Sequence, residues 1–147
     1  MALWLLDTNV LLRAMDRSSG QFAQAGEAMQ QLVLRGNVLC VTSQVIIEFW
    51  TVATRAPELN GLGLQVPAVA AEVESILSRF TLLEDTEKVF PIWFDLVRAH
   101  QRTGKQVHDA RIVAVMKAHG VQNLLTFNVG DFAAYGEIEA VHPRDVK

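Results

Sequence analysis

The chain has 147 residues, half of them hydrophobic and about a fifth charged, with a formal net charge of −3 at pH 7. This length predicts one domain over residues 1–147, and no apolar stretch approaches the ~20 residues of a membrane span. The slightly negative charge argues against a general nucleic-acid coat protein, but it is compatible with an enzyme that has an acidic pocket. Because Cys40 is the only cysteine, no intrachain disulfide can form, and we expect a cytoplasmic location.

Apolar periodicity and turn residues predict short strands that alternate with helices. In chain order, the first half is expected to hold a strand at 2–6, a helix from Val10, a helix at 21–35, a strand at Val38–Val41 and a helix from Val45 to Ala53. The second half is expected to hold an irregular stretch at 55–67, a helix at 67–78, a strand at Phe80–Leu83, a helix from Thr86 to near Gly104, a helix from Asp109 to His119, a strand at Asn123–Thr126, a helical turn near Asp131 and a last strand near Ile138–Val141. This alternation implies an α/β fold, with a mostly parallel twisted sheet of four to five strands and helices on both faces.

The main irregular stretch, from Arg55 to Pro67, is interrupted by proline, glycine and asparagine. It is either a mobile flap near a site or a connection between two helices. We favour the connection, because flexibility alone does not indicate function.

Acidic residues lie at the points where predicted strands give way to helices. Asp7 follows the first strand and Asp131 follows the fourth, while Glu48 lies near the start of one helix and Asp109 opens another. Because ligands of open parallel sheets bind beyond the carboxyl ends of the strands, we expect these four residues to share one rim of the domain. Converging carboxylates repel each other unless a cation lies between them, which predicts a divalent-metal site and chemistry on phosphate.

Each acid also has an ordinary structural explanation. Asp7 and Asp109 are suitable helix caps, Asp131 is a suitable turn cap, and Glu48 fits a solvated helix position. Singly, these explanations are the more common ones, and only the joint placement favours a site. The chain lacks the glycine fingerprint of dinucleotide-binding folds, a phosphate loop, a His-Glu-x-x-His pair and a Gly-x-Ser-x-Gly elbow, so no competing motif stands against the acidic one.

Four acidic segments occur in order along the chain: Leu5-Leu6-Asp7-Thr8-Asn9-Val10-Leu11-Leu12, Ser43-Gln44-Val45-Ile46-Ile47-Glu48-Phe49, His108-Asp109-Ala110-Arg111-Ile112 and Leu125-Thr126-Phe127-Asn128-Val129-Gly130-Asp131-Phe132. In this order they resemble the motifs of PIN domains, especially the VapC-like toxin ribonucleases of bacterial type II toxin–antitoxin systems. One Asp-Thr-Asn is a weak signal, whereas four ordered motifs over nearly the whole chain are a strong one.

The resemblance implies a PIN-like fold and an endoribonuclease that depends on Mg2+ or Mn2+ and hydrolyses RNA. It also implies a homodimer that is inhibited by a cognate antitoxin protein. By motif match, Asp7, Glu48 and Asp109 are the core catalytic carboxylates, and Asp7 and Asp109 are the expected direct metal ligands.

The fourth motif departs from the family pattern. Many members carry an acid where this chain has Asn128, and Asp131 is the nearest carboxylate, so either residue could fill the fourth position. We expect Asp131 to be the fourth catalytic residue and Asn128 to support it. Thr8, Asn9 and Thr126 are the other supporting residues, since hydroxyl and amide groups beside a metal site orient its ligands.

The substrate and partner contacts are less well defined by the sequence. Five basic residues are candidates to hold RNA phosphates, although an ordinary surface role is more common for each: Arg13, Arg55, Arg102, Lys105 and Arg111. Trp50 and Phe94 lie next to other apolar positions, so one of them is a candidate to face a partner. Two alternatives stay open, a catalytically weakened PIN-fold binding module and a phosphoryl-handling enzyme of another doubly wound family.

Overall fold

The computed structural model describes all residues from Met1 to Lys147. Five strands and six helices follow one another as β1 (Leu3–Leu6), α1 (Thr8–Met15), α2 (Phe22–Leu34), β2 (Val38–Thr42), α3 (Ser43–Thr54), α4 (Val66–Arg79), β3 (Thr81–Leu83), α5 (Val89–Ala99), α6 (Gln106–His119), β4 (Asn123–Leu125) and β5 (Glu139–Val141). Short 3-10 turns lie at Pro57–Leu59, Val129–Phe132 and Pro143–Asp145. No helix combines the length and the apolar character that a membrane crossing requires.

The strands form one parallel sheet in the order β3-β2-β1-β4-β5. From the central β1 the chain builds outward through β2 and β3, and it then crosses over to add β4 and β5 on the other side. The topological switch point therefore lies between β1 and β4, where open α/β sheets bind their ligands. Asp7 directly follows β1, and Thr126 directly follows β4.

The core covers both faces of the sheet. Consecutive residues of a strand point to opposite faces, and the neighbours Leu5 and Leu6 are both fully buried, as are Leu124 and Leu125. Such continuous apolar strands are typical of parallel sheets that lie between two layers of helices. The predicted α/β fold with helices on both faces is confirmed, and the sheet has five strands.

Several helix boundaries differ from the sequence-based prediction, and the differences in α5 and α6 matter most for the site. Helix α5 covers Val89–Ala99 instead of reaching from Thr86 to Gly104, because Gln101 adopts a left-handed backbone (φ 51°) that a continuing helix does not allow. Helix α6 begins at Gln106, so Asp109 is its fourth residue and not its cap. The carboxylate of Asp109 consequently lies in the first turn, near the positive end of the helix dipole.

The irregular segment after α3 is a well-packed connection. The backbone N–H groups of Leu62 and Leu64 donate hydrogen bonds to the carbonyls of Val52 and Ala53 in α3, at 3.0 and 2.9 Å. Gly61 lies so close to Arg55 that a Cβ at this position would meet the Arg55 carbonyl oxygen at 2.0 Å. This packing agrees with the connection and not with a mobile flap. Helix α4 begins at Val66, so Pro67 is its second residue and not, as the sequence predicts, its first.

Candidate active site

All four predicted acids line one cavity of about 350 Å³ beyond the carboxyl ends of the strands: Asp7, Glu48, Asp109 and Asp131. Positions far apart in the sequence thus converge, and the supporting residues Thr8, Asn9 and Asn128 line the same cavity. A groove of about 430 Å³ beside α5 is larger, but it is lined mainly by apolar side chains and holds only one carboxylate, that of Asp85. The chemistry of the lining therefore favours the smaller, acidic cavity as the candidate active site.

Asp7 is the most enclosed of the acids, with 7% of its surface exposed. Its Oδ1 accepts a hydrogen bond from the backbone N–H of Thr8 (2.8 Å), which caps α1, and its Oδ2 accepts one from Thr126 Oγ1 (2.8 Å). Burial raises the pKa of Asp7, and repulsion from Glu48 and Asp131 raises it further, although the hydrogen bonds from Thr126 and Thr8 oppose the shift. Asp7 is thus both a helix cap and a buried carboxylate that an opposite charge would stabilise.

Asn9 and Thr126 brace the turn that follows β4. The Asn9 Nδ2 donates to Thr126 Oγ1 and to Asp7 Oδ2, both at 3.3 Å, and its Oδ1 accepts from the backbone N–H of Phe127 at 3.1 Å. The Thr126 hydroxyl also accepts from the backbone N–H of Asn128 at 3.0 Å. These bonds fix the β4 turn against the start of α1, so the backbone on both sides of Asp7 is held in place.

Glu48 reaches the cavity from the second turn of α3. Its Oε2 accepts a hydrogen bond from Thr8 Oγ1 at 2.9 Å, and its Oε1 accepts one from Gln44 Nε2 at 3.0 Å. Both carboxylate oxygens are therefore oriented by neighbouring donors. Thr8 contacts both carboxylates, because its backbone N–H donates to Asp7 and its hydroxyl donates to Glu48.

The pKa of Asp109 is affected by all three of the other acids. Burial, followed by repulsion from Asp131, Asp7 and Glu48, raises the pKa of Asp109 to about 6, against a smaller opposing effect of Lys105. A pKa this far above the ordinary value near 4 results first from burial of the carboxylate and then from the negative charge of its neighbours.

Both candidates for the fourth motif position are exposed residues that line the cavity. Asp131 lies in the 3-10 turn Val129–Phe132, and its charge raises the pKa of both Asp7 and Asp109. Asn128 precedes that turn and also lines the cavity, but it brings no charge. Of the two, only Asp131 therefore adds negative charge to the site.

Of the five basic candidates, Arg13 and Lys105 line the cavity, and the other three do not. Arg13 Nε donates to Gln21 Oε1 at 2.9 Å. Arg111 pairs with Asp85 at 2.8 Å, and the guanidinium of Arg102 lies 5.2 Å from the centre of the Tyr135 ring. Two basic side chains are thus available at the acidic site itself.

Two polar residues of this site were not predicted from the sequence: Asn60, which lines the cavity, and Gln44, which is only 9% exposed. The contacts of Gln44 are the more informative. Its side chain contacts Glu48 and also the backbone carbonyl of His108 in α6. A signal was present, since glutamine one helical turn before a glutamate can reach it. Nothing in the sequence indicates that this glutamine would be buried.

The donor set suits a hard divalent cation that takes few protein ligands. No three aspartate, glutamate, histidine or cysteine side chains lie close enough together to form a complete metal cage. Mg2+ is usually bound by one or two carboxylates, with waters and substrate phosphate completing its shell. Burial and the neighbouring acids raise the pKa of Asp7 and Asp109, and an adjacent cation would stabilise both ionised carboxylates, so the residues present fit it.

Fold and site together define an α/β protein with a carboxylate-lined crevice at the switch point of a parallel sheet. The PIN domain profile matches residues 4–138. The chain therefore belongs to the PIN domain family, as the four ordered motifs predict.

Known relatives are similar along most of the chain. Ribonuclease VapC24 of Mycobacterium tuberculosis is 26% identical over 133 residues, which is 89% of this chain and 90% of that protein. The structure of M. tuberculosis VapC20, a sarcin-ricin loop cleaving toxin, has a TM-score of 0.67 at 24% identity and covers 92% of this chain and 97% of its own. VapBC2 of Rickettsia felis, bound to a promoter DNA fragment, has a TM-score of 0.72 at 15% identity and covers 95% of this chain and 98% of that chain. These structural likenesses confirm the PIN-like fold.

Proposed function

We propose that this chain is a divalent-metal-dependent endoribonuclease and the toxin of a toxin–antitoxin pair. The observation that carries the proposal is the convergence of four carboxylates in one cavity of a PIN-family chain. The similarity to Ribonuclease VapC24 supports RNA as the substrate, and the similarity to the toxin VapC20 supports the biological role.

Asp7 and Asp109 would hold a Mg2+ or Mn2+ ion directly. Both pKa values are raised by burial and by neighbouring acids, so each carboxylate gains from an adjacent cation. When bound, such an ion neutralises charge on the phosphate and lowers the pKa of water.

The remaining residues bind, orient and transfer protons. Glu48 has both oxygens fixed by donors and so can accept a proton through a water at a defined place. Asp131, which lines the same cavity, has the same role. Lys105 and Arg13 contact the RNA phosphates beside the cleaved bond. Water attacks phosphorus in place of the ribose 2′-hydroxyl, and the P–O3′ bond breaks. The leaving 3′-oxygen takes up a proton, so the products carry a 5′-phosphate and a 3′-hydroxyl.

We also propose an antitoxin partner and a homodimer. VapBC2 of R. felis and VapBC-1 of Haemophilus influenzae each contain a chain of the same fold. A toxin–antitoxin complex of Klebsiella pneumoniae also contains one, which supports the antitoxin. Support for a protein contact also comes from α5, where Phe90 and Phe94 are 66% and 45% exposed and stack with their ring centres 6.1 Å apart. Exposed apolar clusters of this kind often mark protein–protein interfaces.

An RNA cleavage assay tests the proposal. Purified protein is incubated with structured RNA in Mn2+, in Mg2+ and in EDTA, beside Asp7→Asn, Asp109→Asn and the matched control Asp95→Asn, which changes an exposed acid on α5. We expect the wild type and Asp95→Asn to cleave with either metal and to leave 5′-phosphates, and the two site variants to lose cleavage.

Equal cleavage by the wild type and both site variants would point to a contaminating nuclease and contradict the proposal. An absence of both cleavage and Mn2+ binding at millimolar metal would favour the alternative, a binding module on the same fold.

A further inference from the structure

Gln44 is the centre of a buried polar network that joins two elements of the acidic site. Its Nε2 donates to Glu48 Oε1 at 3.0 Å and to the backbone carbonyl of His108 at 2.8 Å, and its Oε1 accepts from Arg111 Nη1 at 3.0 Å. Carboxylate and carbonyl oxygens only accept hydrogen bonds and guanidinium only donates. The orientation of the Gln44 amide is therefore fixed by its partners, and the reversed orientation would face all three with the wrong group.

The network continues from Gln44 to the surface. Arg111 Nη2 donates to Asp85 Oδ1 at 2.8 Å, and Ser43 Oγ donates to Asp85 Oδ2 at 2.7 Å. Arg111 is thus held from both sides, which limits the movement of the amide it anchors. The hydrogen bonds of Gln44 to the His108 carbonyl and from Arg111 therefore link α3 to α6 beside the cavity.

We propose that Gln44 is a positioning residue that holds Glu48 in its working orientation at the metal site. This inference rests on the proposed metal-dependent function. The His108 carbonyl and Arg111 fix the Gln44 amide, and the remaining N–H of the amide then sets the direction of the Glu48 carboxylate. Glu48 in turn binds Thr8, the neighbour of Asp7. Loss of the amide leaves Glu48 with one donor, and its carboxylate rotates away from the geometry that favours the ion.

The test is calorimetric titration of EDTA-stripped protein with Mn2+ alone, combined with thermal melts. Gln44→Met keeps the volume of the side chain and removes its hydrogen bonds. Gln30→Met is the matched control, because Gln30 is exposed on α2. We expect Gln44→Met to weaken Mn2+ binding by about tenfold, the lower end of what loss of a ligand-orienting partner causes, and Gln30→Met to leave it unchanged.

A double-mutant cycle separates positioning from a general structural role. If Gln44 acts through Glu48, Gln44→Met has little further effect in a Glu48→Ala background. An unchanged affinity in Gln44→Met, or an equal fall in both backgrounds, would overturn the inference. Gln44→Asn, whose amide is one methylene too short to reach Glu48, gives the same readout if the methionine variant does not fold. A wild type that binds no Mn2+ contradicts the proposed function itself.

Discussion

Thr126 Oγ1 donates a 2.8 Å hydrogen bond to Oδ2 of Asp7, although the two residues lie 119 positions apart in the sequence. Both are buried, and each directly follows one of the two strands that flank the switch point of the sheet. The contact therefore ties the topology of the fold to the chemistry of the site, because the sheet order brings the two strand ends together and the hydroxyl orients the carboxylate.

Thr126→Val removes this hydroxyl and keeps the shape of the side chain. The buried carboxylate of Asp7 loses this donor, and the backbone N–H of Asn128 loses its acceptor. An unsatisfied buried group typically costs about 1–3 kcal/mol of folding free energy. We expect urea denaturation to show a loss of this size and Mn2+ affinity to fall about tenfold. Thr51→Val, at an exposed position in α3, should change neither quantity, and equal effects of the two variants would argue against the role of Thr126.

Asp109→Asn should stabilise the metal-free protein at neutral pH. The pKa of Asp109 is raised from 3.8 to about 6 in the folded state, so the folded protein binds this proton more tightly than the unfolded chain does. Stability from this group is then present below about pH 4 and is lost as pH rises towards about 6. The full shift would correspond to roughly 3 kcal/mol, and because solvent screens this half-exposed group we expect about 1 kcal/mol.

Thermal melts in EDTA across pH 4 to 8 test whether Asp109→Asn stabilises the metal-free protein. The curves of the wild type and Asp109→Asn should coincide near pH 4, diverge between about pH 4 and 6, and stay apart above about pH 6, with the variant the more stable. A variant that is less stable at pH 7 would show that the carboxylate is held by favourable contacts instead of being crowded by its neighbours.

Asp131→Asn and Asn128→Ala should have unequal effects. The charge of Asp131 raises the pKa of both Asp7 and Asp109, so it acts on the site directly, whereas Asn128 is neutral. We expect Asp131→Asn to slow RNA cleavage by about tenfold or more and Asn128→Ala to change it by less than about threefold. Single-turnover rates at saturating Mn2+ make the comparison, and the reverse ranking would assign the fourth position to Asn128.

Lys105→Ala should weaken RNA binding more than it slows the chemical step. Lys105 lines the acidic cavity at its exposed rim, where it can contact a phosphate. We expect a higher KM with kcat nearly unchanged, and a slope of log affinity against log salt that falls by about one. Lys88→Ala, at an exposed position before α5, is the control. An unaltered salt slope in Lys105→Ala would place the RNA elsewhere.

Much of this architecture can be predicted from sequence because parallel strands between helices are strongly patterned. The apolar runs before Asp7 and Thr126 identify β1 and β4, and the strand-to-helix transitions identify the rim where the acids meet. The start of α6 could not be placed, because Asp109 is a good cap residue and local propensity cannot show that the helix already begins at Gln106.

The polar contacts between elements that are distant in the sequence could not be predicted either. The role of Gln44 depends on tertiary contacts with His108 and Arg111, 64 and 67 positions away. Likewise, Arg102 and Arg111 look like phosphate contacts in the sequence, but Arg102 lies against Tyr135 and Arg111 is paired with Asp85. The partner of a charged side chain is set by tertiary contacts, which the sequence alone does not show.

A crystal structure of the protein soaked in Mn2+, with anomalous scattering recorded for the metal, tests the central claim most directly. The account predicts an anomalous peak in the acidic cavity, about 2.1 Å from carboxylate oxygens of Asp7 and Asp109, with Glu48 oriented towards it by Gln44 and Thr8. A cavity without a peak at millimolar Mn2+, or a peak bound only by other residues, would contradict it.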